Sequence, residues 1–324
     1  MKKIVIIIML VTQALCAVCQ SNENYTFTDT DGKHINAHGG GMLYHKGTYY
    51  WYGEIKKGKS FNSPSGSRRV DAGGVSCYSS KDLKTWKNEG IALSPNTTDK
   101  SHDLHISKVI ERPKVIYNKK TKKFVMWMHI DSDDYGYARS GVAVSDKATG
   151  PFIYIESVRP NGNVARDMTI FQDDDGKAYH FYSSEDNKTM HIALLSNDYL
   201  KHTTLEKRIF IDACREAPAV FKYKKKYYVV TSGLTGWYPN EANYGVADNI
   251  MGEWVNYGNP CLGKDAHITY YGQSTYVIPV NAKKNKFIFM ADKWNEHDLE
   301  SSTYIWKPLY VTPDHKVVIG SNED

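Results

Sequence analysis

The sequence contains little cysteine and proline and carries little net charge for its length. Its 324 residues include 5 Cys and 11 Pro, and the formal charge of +5 falls to +3 once Lys2 and Lys3 are removed with the N-terminal segment described next. So small a charge does not indicate a nucleic-acid partner. Removing that segment leaves Cys77, Cys214 and Cys261, which have the spacing of neither a zinc site nor a dense disulfide framework. Stability must therefore come from a hydrophobic core.

The one long hydrophobic run lies at the N-terminus. Within residues 1–19 two lysines precede an unbroken apolar stretch, and small residues precede the polar sequence that follows. This pattern is typical of a secretory signal peptide rather than of a membrane span. Cleavage after Cys19 would leave residues 20–324 as an exported chain, periplasmic, extracellular or at the cell surface. Lipid attachment at Cys16 or Cys19 is the alternative.

Aromatic residues, by contrast, are plentiful and recur in a repeated pattern. The 24 Tyr cluster with Trp, Thr and Val in short runs bounded by turn residues, which favours strands. Five units share an apolar strand, a turn and an aromatic return strand: GGGMLYHKGTYYWYGE, RPKVIYNKKTKKFVMWMHID, DMTIFQDDDGKAYHFYSSE, APAVFKYKKKYYVVTSG and QSTYVIPVNAKKNKFIFMAD. They begin roughly 50 to 70 residues apart, and several continue into two further strands. This predicts an all-β chain with a single five-bladed β-propeller domain; the alternative, a β-sandwich, does not repeat one hairpin at this period.

In a propeller the first strand of each blade lines the central channel, so the residues ahead of these five strands should converge. They are His38 with Gly39 to Gly41, Glu111 with Arg112, Arg166 with Asp167, Arg215 with Glu216, and Gln273. Crowding of Glu111, Asp167 and Glu216 at low dielectric should keep at least one carboxyl protonated near neutral pH. A protonated carboxyl is a general acid, which glycoside cleavage requires at the leaving oxygen.

Three arginines and several rim residues accompany these acids. Arg112, Arg166 and Arg215 can each anchor a carboxylate and so decide which one keeps its proton, although a purely structural ring of ion pairs is the alternative. Aromatic side chains for stacking on sugar rings are expected in the loops after second strands, at Tyr135, Tyr137, Trp237 and Tyr238. His129 and Asp131 fall at a strand exit and are candidate sugar contacts. The histidines lack metal-ligand spacing, so no metal site is predicted, and a structural calcium ion in the channel is left open.

The ring of acids, the run RDMTIFQDDDGKAYHFYSSED, the Arg-Glu-Ala-Pro entry and YYGQSTYV resemble glycoside hydrolase family 43. Within that family INAHGGGMLYHKGTYYWYGE, ERPKVIYN and SGLTGWYPN are most similar to the exo-β-1,3-galactanases. The resemblance covers the chain from about residue 25 to the C-terminus. It implies that Glu216 is the general acid and that Asp167 orients this acid and raises its pKa. It also implies that acidic residues hold the hydroxyls of the non-reducing terminal sugar; these are Glu54, Glu111 and Glu185.

The sequence departs from the family at the first blade. Most members have there an Asp that serves as general base, whereas this chain has AHGGGM. The nearest upstream acid, Asp31, lies in an Asp-Gly step typical of a turn. Gln273 matches a glutamine proposed to replace the base, either by positioning water or as the imidic acid tautomer. A purely structural role for this amide is the alternative.

The sequence thus predicts an exo-acting, inverting glycoside hydrolase that releases galactose from β-1,3-galactan, the arabinogalactan backbone. Alternatives on the same scaffold are an α-L-arabinofuranosidase and a β-galactofuranosidase. Because the first-blade Asp is missing, a non-catalytic carbohydrate-binding propeller is the alternative from another class. The expected partner is a polysaccharide or oligosaccharide, and the expected state is a monomer that requires no cofactor.

Overall fold

A computed structural model describes residues 25–64 and 66–321. The predicted signal peptide, residues 1–19, lies outside the described residues. Within them, no helix has the length and apolar character needed to cross a membrane.

Five four-stranded antiparallel sheets form the blades. Blade 1 contains β1 (His38–His45), β2 (Thr48–Lys56) and, after a hairpin of β3 (Phe61–Asn62) and β4 (Arg68–Arg69), β5 (Ala72–Ser80) and β6 (Lys87–Leu93). Blade 2 contains β7 (Val109–Asn118), β8 (Lys123–Asp131), β9 (Arg139–Ser145) and β10 (Ile153–Val158). Blade 3 contains β11 (Met168–Gln172), β12 (Ala178–Ser184), β13 (Thr189–Leu195) and β14 (His202–Ile209).

The remaining two blades complete the ring. Blade 4 contains β15 (Arg215–Tyr223), β16 (Lys226–Gly233), β17 (Asn243–Ala247) and β18 (Val255–Gly258). Blade 5 contains β19 (Gln273–Asn281), β20 (Lys286–Lys293), β21 (Thr303–Val311) and β22 (Val317–Ile319). Short 3₁₀ segments connect the strands at Pro160–Gly162, Ala266–Tyr271, Ala282–Lys284 and Leu299–Ser301. The predicted five-bladed β-propeller is confirmed, and each of the five quoted units is the inner hairpin of one blade.

The hydrophobic core is divided among the blade interfaces. Five clusters of buried side chains each draw their members from two neighbouring blades. Between blades 1 and 2, for example, Tyr52 and Val75 pack with Met126 and Met128. Because a propeller buries the two faces of each sheet against its neighbours, the strands are apolar on both faces.

The ring closes by contact between its two ends, since every blade is built from consecutive strands. The hydroxyl of Tyr304 in blade 5 donates to the carbonyl of Ile35 at 2.8 Å and accepts from the amide of Ala37 at 2.8 Å. The aromatic ring of Tyr304 also packs edge-on against Trp51 of blade 1, with ring centroids 4.8 Å apart. The segment that leads into blade 1 is therefore held by blade 5.

Irregularities in the inner strands explain why carboxylates occur at the start of strands that are otherwise buried. The antiparallel register shifts directly after three entrance residues, and the next residue has a positive φ of 53–54°; the pairs are His38–Gly39, Glu111–Arg112 and Glu216–Ala217. A β-bulge bends a strand and redirects its side chains. The strand thus bends locally at each of these entrance residues.

Candidate active site

Arg112 connects three blades at the bottom of the funnel. Its guanidinium, which is almost fully buried, donates through Nε to Asp167 Oδ1 at 3.1 Å, and its Nη2 lies 3.0 Å from Asp167 Oδ2. Nη1 donates to the carbonyl of Ser274 at 2.8 Å, and Nη2 donates to Gln273 Oε1 at 2.5 Å. A single planar cation therefore sets the relative positions of Asp167 and Gln273.

Glu216 lies beside this arginine and is 7% exposed. Its Oε1 accepts a hydrogen bond from Gln273 Nε2 at 2.8 Å. Burial, followed by the charge of Asp167, raises the pKa of Glu216 to about 8, while Arg112 and the Gln273 hydrogen bond oppose the rise. The fold therefore keeps this carboxyl protonated at neutral pH, as a general acid requires.

Glu111 has the opposite electrostatic environment. It accepts hydrogen bonds from Tyr135 OH at 2.9 Å and from His129 Nδ1 at 3.2 Å, and His129 Nε2 lies 2.9 Å from Asp131 Oδ2. Burial alone would raise the pKa of Glu111, but the His129 hydrogen bond and the charges of Lys56 and His129 lower it to about 2. His129 and Asp131 are 1% and 0% exposed, so the structure places both behind Glu111 rather than at the funnel surface.

Glu54 shares the wall of the funnel with Glu111. Lys56 Nζ lies 2.8 Å from Glu54 Oε2 and 3.8 Å from Glu111 Oε1. Burial raises the pKa of Glu54 to about 7 despite the lysine. A pocket borders this wall, and its lining includes Glu54, Lys56, Glu111 and Tyr135 together with residues 68–72 and 108–110, but not Glu216 or Asp167. Glu54 and Glu111, which were predicted to bind sugar hydroxyls, are therefore brought together, and Tyr135, which was predicted to stack on a sugar ring, donates its hydroxyl hydrogen to Glu111.

Three of these side chains are close enough to be considered as metal ligands. One ligand atom each from Glu111, His129 and Asp167 lies within 4.8 Å of the others. However, Nδ1 and Nε2 of His129 already face Glu111 and Asp131 at 3.2 and 2.9 Å, and Asp167 is paired with Arg112. The candidate ligand atoms are therefore engaged with one another and with the neighbouring protein groups.

Comparison with known proteins places this site in a family. The family model for glycosyl hydrolases family 43 matches residues 40–307. The chain belongs to glycoside hydrolase family 43. No curated protein is detectably similar to this hydrolase in sequence.

Several solved structures are similar to the family 43 hydrolase over almost its whole length. A β-1,3-galactosidase of the same family, with galactodeoxynojirimycin, has 42% sequence identity and a TM-score of 0.84 over 92% of this chain and 97% of that chain. An exo-β-1,3-galactanase from Phanerochaete chrysosporium with β-1,3-galactotriose has 34% identity and a TM-score of 0.81 over 91% of this chain and 66% of that chain. An exo-β-1,3-galactanase from Clostridium thermocellum has 37% identity and a TM-score of 0.78 over 91% and 64%. The chain therefore spans about two thirds of the length of the last two proteins.

The hydrolase has a carboxylate next to its first-blade entrance, which the local sequence does not reveal. Asp292 of β20 accepts a hydrogen bond from the Gly39 amide at 2.7 Å through Oδ2, and its Oδ1 lies 3.2 Å from His38 Nδ1. Asp292 is 1% exposed. A carboxylate from blade 5 thus lies against the stretch AHGGGM, which contains no acidic residue of its own.

The glycines of AHGGGM provide space for side chains from neighbouring strands. A Cβ on Gly39 would lie 2.8 Å from Glu54 Oε1, and a Cβ on Gly41 would lie 2.4 Å from Lys114 Cδ. The ammonium of Lys114 donates to the Gly39 carbonyl at 2.7 Å. Burial, followed by the charge of Arg112, lowers the pKa of Lys114 to about 7. Lys114 was not identified from sequence, because a lysine in an inner strand has no distinctive local pattern.

Two tryptophans lie at the edge of the site. Trp294, which the sequence analysis also missed, donates through Nε1 to Gln273 Oε1 at 2.9 Å. Its ring lies 5.2 Å from that of Trp237 in an edge-on arrangement. Trp237 is therefore next to the site, whereas Tyr137 packs under Arg139 at 4.4 Å. Tyr238 is 69% exposed.

Glu185 belongs to a separate cluster. Its oxygens lie 3.0 Å from His191 Nε2 and 2.7 Å from Arg208 Nη2. The Arg208 hydrogen bond is the main cause that lowers the pKa of Glu185 to about 2. Among the described residues, no hydrogen bond or ion pair links it to Glu216 or Asp167.

The three arginines expected beside the acids have different partners. Arg112 pairs with Asp167, whereas Arg166 lies 4.0 Å from Asp131 and 3.9 Å from Asp186. Arg215 donates to the hydroxyl and carbonyl of Thr231 at 3.0 and 2.8 Å. Arg166 therefore lies near two carboxylates other than Glu111, Asp167 and Glu216, whereas the side-chain hydrogen bonds of Arg215 go to Thr231 and to the backbone carbonyl of Glu241.

Proposed function

We propose that this family 43 hydrolase releases galactose from the non-reducing end of β-1,3-galactan with inversion at the anomeric carbon. The observation that carries the proposal is the buried, protonated Glu216, joined through Gln273 and Arg112 to Asp167. The sugar and linkage are supported by the three similar structures, a β-1,3-galactosidase and two exo-β-1,3-galactanases.

In this mechanism Glu216 donates its proton to the glycosidic oxygen as the bond to the anomeric carbon breaks. Asp167 keeps Glu216 protonated before this step. Its negative charge helps to hold the proton on Glu216 before the reaction, and its ion pair with Arg112 keeps this charge in place. When Glu216 ionises, the nearby guanidinium of Arg112 stabilises the new carboxylate.

The wall formed by Glu54, Glu111 and Tyr135 would bind the hydroxyls of the terminal galactose. Lys56 lies against both acids, and Tyr135 donates to Glu111, so these oxygens are fixed before substrate arrives. An ionised Glu111 accepts hydrogen bonds from sugar hydroxyls, whereas Glu54, with a pKa of about 7, can donate or accept. A wall of this kind on one side of the funnel favours exo action.

Water attack requires a group on the opposite face of the sugar. We keep Gln273 as the candidate for this role. Its Nε2 lies 2.8 Å from Glu216 Oε1, so it would orient the water only once this hydrogen bond is released. The proton of the water would pass to bulk solvent, because both lone pairs of the amide oxygen are occupied by Arg112 and Trp294. A neutral amide orients water but is a weak base, so its contribution is to geometry. Asp292 holds the neighbouring first-blade backbone through Gly39.

The test is galactose release from β-1,3-galactobiose, followed by ¹H NMR of the anomer formed first. The proposal expects α-galactose first, and loss of about 10²- to 10⁴-fold in kcat for Glu216→Gln with binding retained. Glu253→Gln, at a surface position where the side chain is 90% exposed, is the control and should keep full activity. First formation of β-galactose would contradict inversion. A wild type that binds the disaccharide without turnover would overturn the proposed activity.

The identity of the sugar is tested with aryl glycosides. Release from an aryl α-L-arabinofuranoside or β-galactofuranoside, with none from β-1,3-galactobiose, would replace galactose by that sugar and leave the roles of Glu216 and Asp167 unchanged.

We further propose that the enzyme acts outside the cytoplasm and needs no cofactor. The export pattern of residues 1–19 supports the first statement, and N-terminal sequencing of the mature protein from cell fractions tests it. The second is supported by the contacts of His129 with Glu111 and Asp131 and of Asp167 with Arg112, which already engage the nearest candidate ligand atoms. Activity should persist after dialysis against a chelator.

A further inference from the structure

The amide of Gln273 has only one orientation that fits its neighbours. One of its terminal atoms lies 2.5 Å from Arg112 Nη2 and 2.9 Å from Trp294 Nε1. A guanidinium and an indole can only donate hydrogen bonds, so that atom must be the carbonyl oxygen. The NH₂ group consequently faces Glu216, with 2.8 Å between Nε2 and Oε1. The partners therefore assign the side-chain orientation, which electron density alone often leaves ambiguous.

This orientation determines where the proton of Glu216 lies. Since Gln273 Nε2 donates, Glu216 Oε1 accepts, and because the carbonyl oxygen of a neutral carboxyl is a better acceptor than its hydroxyl oxygen, this contact favours the proton on Oε2. Both lone pairs of the Gln273 oxygen are occupied by donors. The amide tautomer fits these contacts, whereas the imidic acid, with its proton on oxygen, does not.

We propose that Trp294 is a positioning residue for the general acid: together with Arg112 it holds Gln273 so that the proton of Glu216 stays on Oε2 and is directed to the leaving oxygen. This inference rests on the proposed function, because it assigns Glu216 as the acid. Arg112 alone leaves one lone pair of the amide oxygen unsatisfied. Without the indole N–H, Arg112 alone holds the amide oxygen, so the NH₂ group of Gln273 is less firmly positioned against Glu216 Oε1.

The indole is well placed for this task because neighbouring groups surround it. Trp294 directly follows β20, the strand that also contains Asp292. Its ring lies 5.2 Å from Trp237 and 5.3 Å from His38, and Lys56 Nζ lies 5.7 Å from its centroid. These contacts involve the faces and edge of the ring and do not use the N–H. Trp294→Phe therefore removes the hydrogen bond and keeps most of the packing.

The experiment compares two leaving groups. Departure of galactose from β-1,3-galactobiose needs protonation by Glu216, whereas 2,4-dinitrophenolate leaves an aryl galactoside without it. For Trp294→Phe we expect kcat/KM to fall at least about tenfold on the disaccharide and to stay within about twofold on the dinitrophenyl galactoside, in line with loss of a proton-positioning contact. The matched control is Trp254→Phe. The N–H of Trp254 lies away from the site and donates to the Ile250 carbonyl at 3.1 Å, so its loss should change neither rate.

An equal fall on both substrates, or no fall on either, would overturn the inference, since a purely structural role does not distinguish leaving groups. Trp294→Leu is a second variant without the N–H, to be used if Trp294→Phe does not fold. If the wild type cleaves an arabinofuranoside and not a galactoside, the proposed sugar is wrong, and the same pair of leaving groups is compared on the accepted sugar. The outcome for Trp294 is then read independently of the substrate.

Discussion

Arg112 and Asp167 form a two-point ion pair across the boundary between blades 2 and 3, with Nε and Nη2 at 3.1 and 3.0 Å from the two carboxylate oxygens. Both side chains are largely buried, at 5% and 13% exposure. Burial of such a pair contributes little net stability, because desolvation offsets the attraction. Its value lies in geometry: the same guanidinium orients Gln273 and moderates the pKa of Glu216.

Replacing Arg112 by lysine tests this geometric role. Lysine keeps the charge but cannot contact Asp167, Gln273 and the Ser274 carbonyl together. We expect kcat/KM on β-1,3-galactobiose to fall about 10²-fold, the usual cost of misplaced catalytic groups. The control is Arg159→Lys, an exposed arginine that binds backbone carbonyls and should keep full activity. Activity within twofold of wild type for Arg112→Lys would contradict the role.

Two glycines of blade 1 should respond differently to alanine. A Cβ at Gly53 would lie 2.0 Å from the carbonyl carbon of Ala37, so Gly53→Ala must displace backbone and should sharply lower the melting temperature. At Gly39 the nearest atom is Oε1 of Glu54, at 2.8 Å. Gly39→Ala should therefore lose activity, by about tenfold or more, with a smaller loss of stability. Wild-type kcat/KM for a folded Gly39→Ala protein would show that this clearance is unimportant.

Acid stability should depend on a buried histidine pair. His180 Nδ1 and His202 Nε2 lie 2.9 Å apart, and burial lowers the pKa of His202 from 6.5 to about 4. Because the unfolded chain binds the proton more readily, the stabilisation is complete above pH 6.5 and is lost as the pH falls toward 4. His202 alone should account for about 3 kcal/mol of this loss at most.

The measurement is the free energy of unfolding between pH 4 and 7. His202→Gln should fall less steeply with decreasing pH than the wild type. His297→Gln, at a position 87% exposed, is the control and should follow the wild type. Parallel curves for the wild type and His202→Gln would refute the assignment.

The parts of the structure that repeat along the chain could be predicted from the sequence. The inner hairpins share one pattern, so the five blades and the convergence of Glu111, Asp167, Glu216 and Gln273 around the axis follow from it. The bulges directly after Glu111 and Glu216 were not predicted, because a register shift depends on how two strands pair and leaves no signal in the hairpin pattern.

Features that depend on closure of the ring could not be predicted. Asp292 reaches the first blade only because blade 5 lies next to blade 1. Trp294 reaches Gln273 within blade 5, where β19 pairs with β20, and neither Asp292 nor Trp294 belongs to an entrance motif. The carboxylate partners of Arg112 and Arg166 could not be predicted either, because the direction of a side chain depends on how the strands pack in the folded protein. Glu185 bonds instead to Arg208, on a strand that the sequence pattern did not connect with it.

The central claim is that the fold keeps a proton on Glu216, and the most direct test is the unfolding free energy of Glu216→Gln relative to wild type as a function of pH. The folded pKa of about 8 lies above the ordinary value of 4.5 expected in the unfolded chain, so the wild type loses stability as the pH rises through this window, whereas the glutamine variant does not. The account predicts that the variant gains about 1.4 kcal/mol over the wild type for each pH unit between 5 and 8. A difference that stays constant or shrinks with rising pH would contradict it.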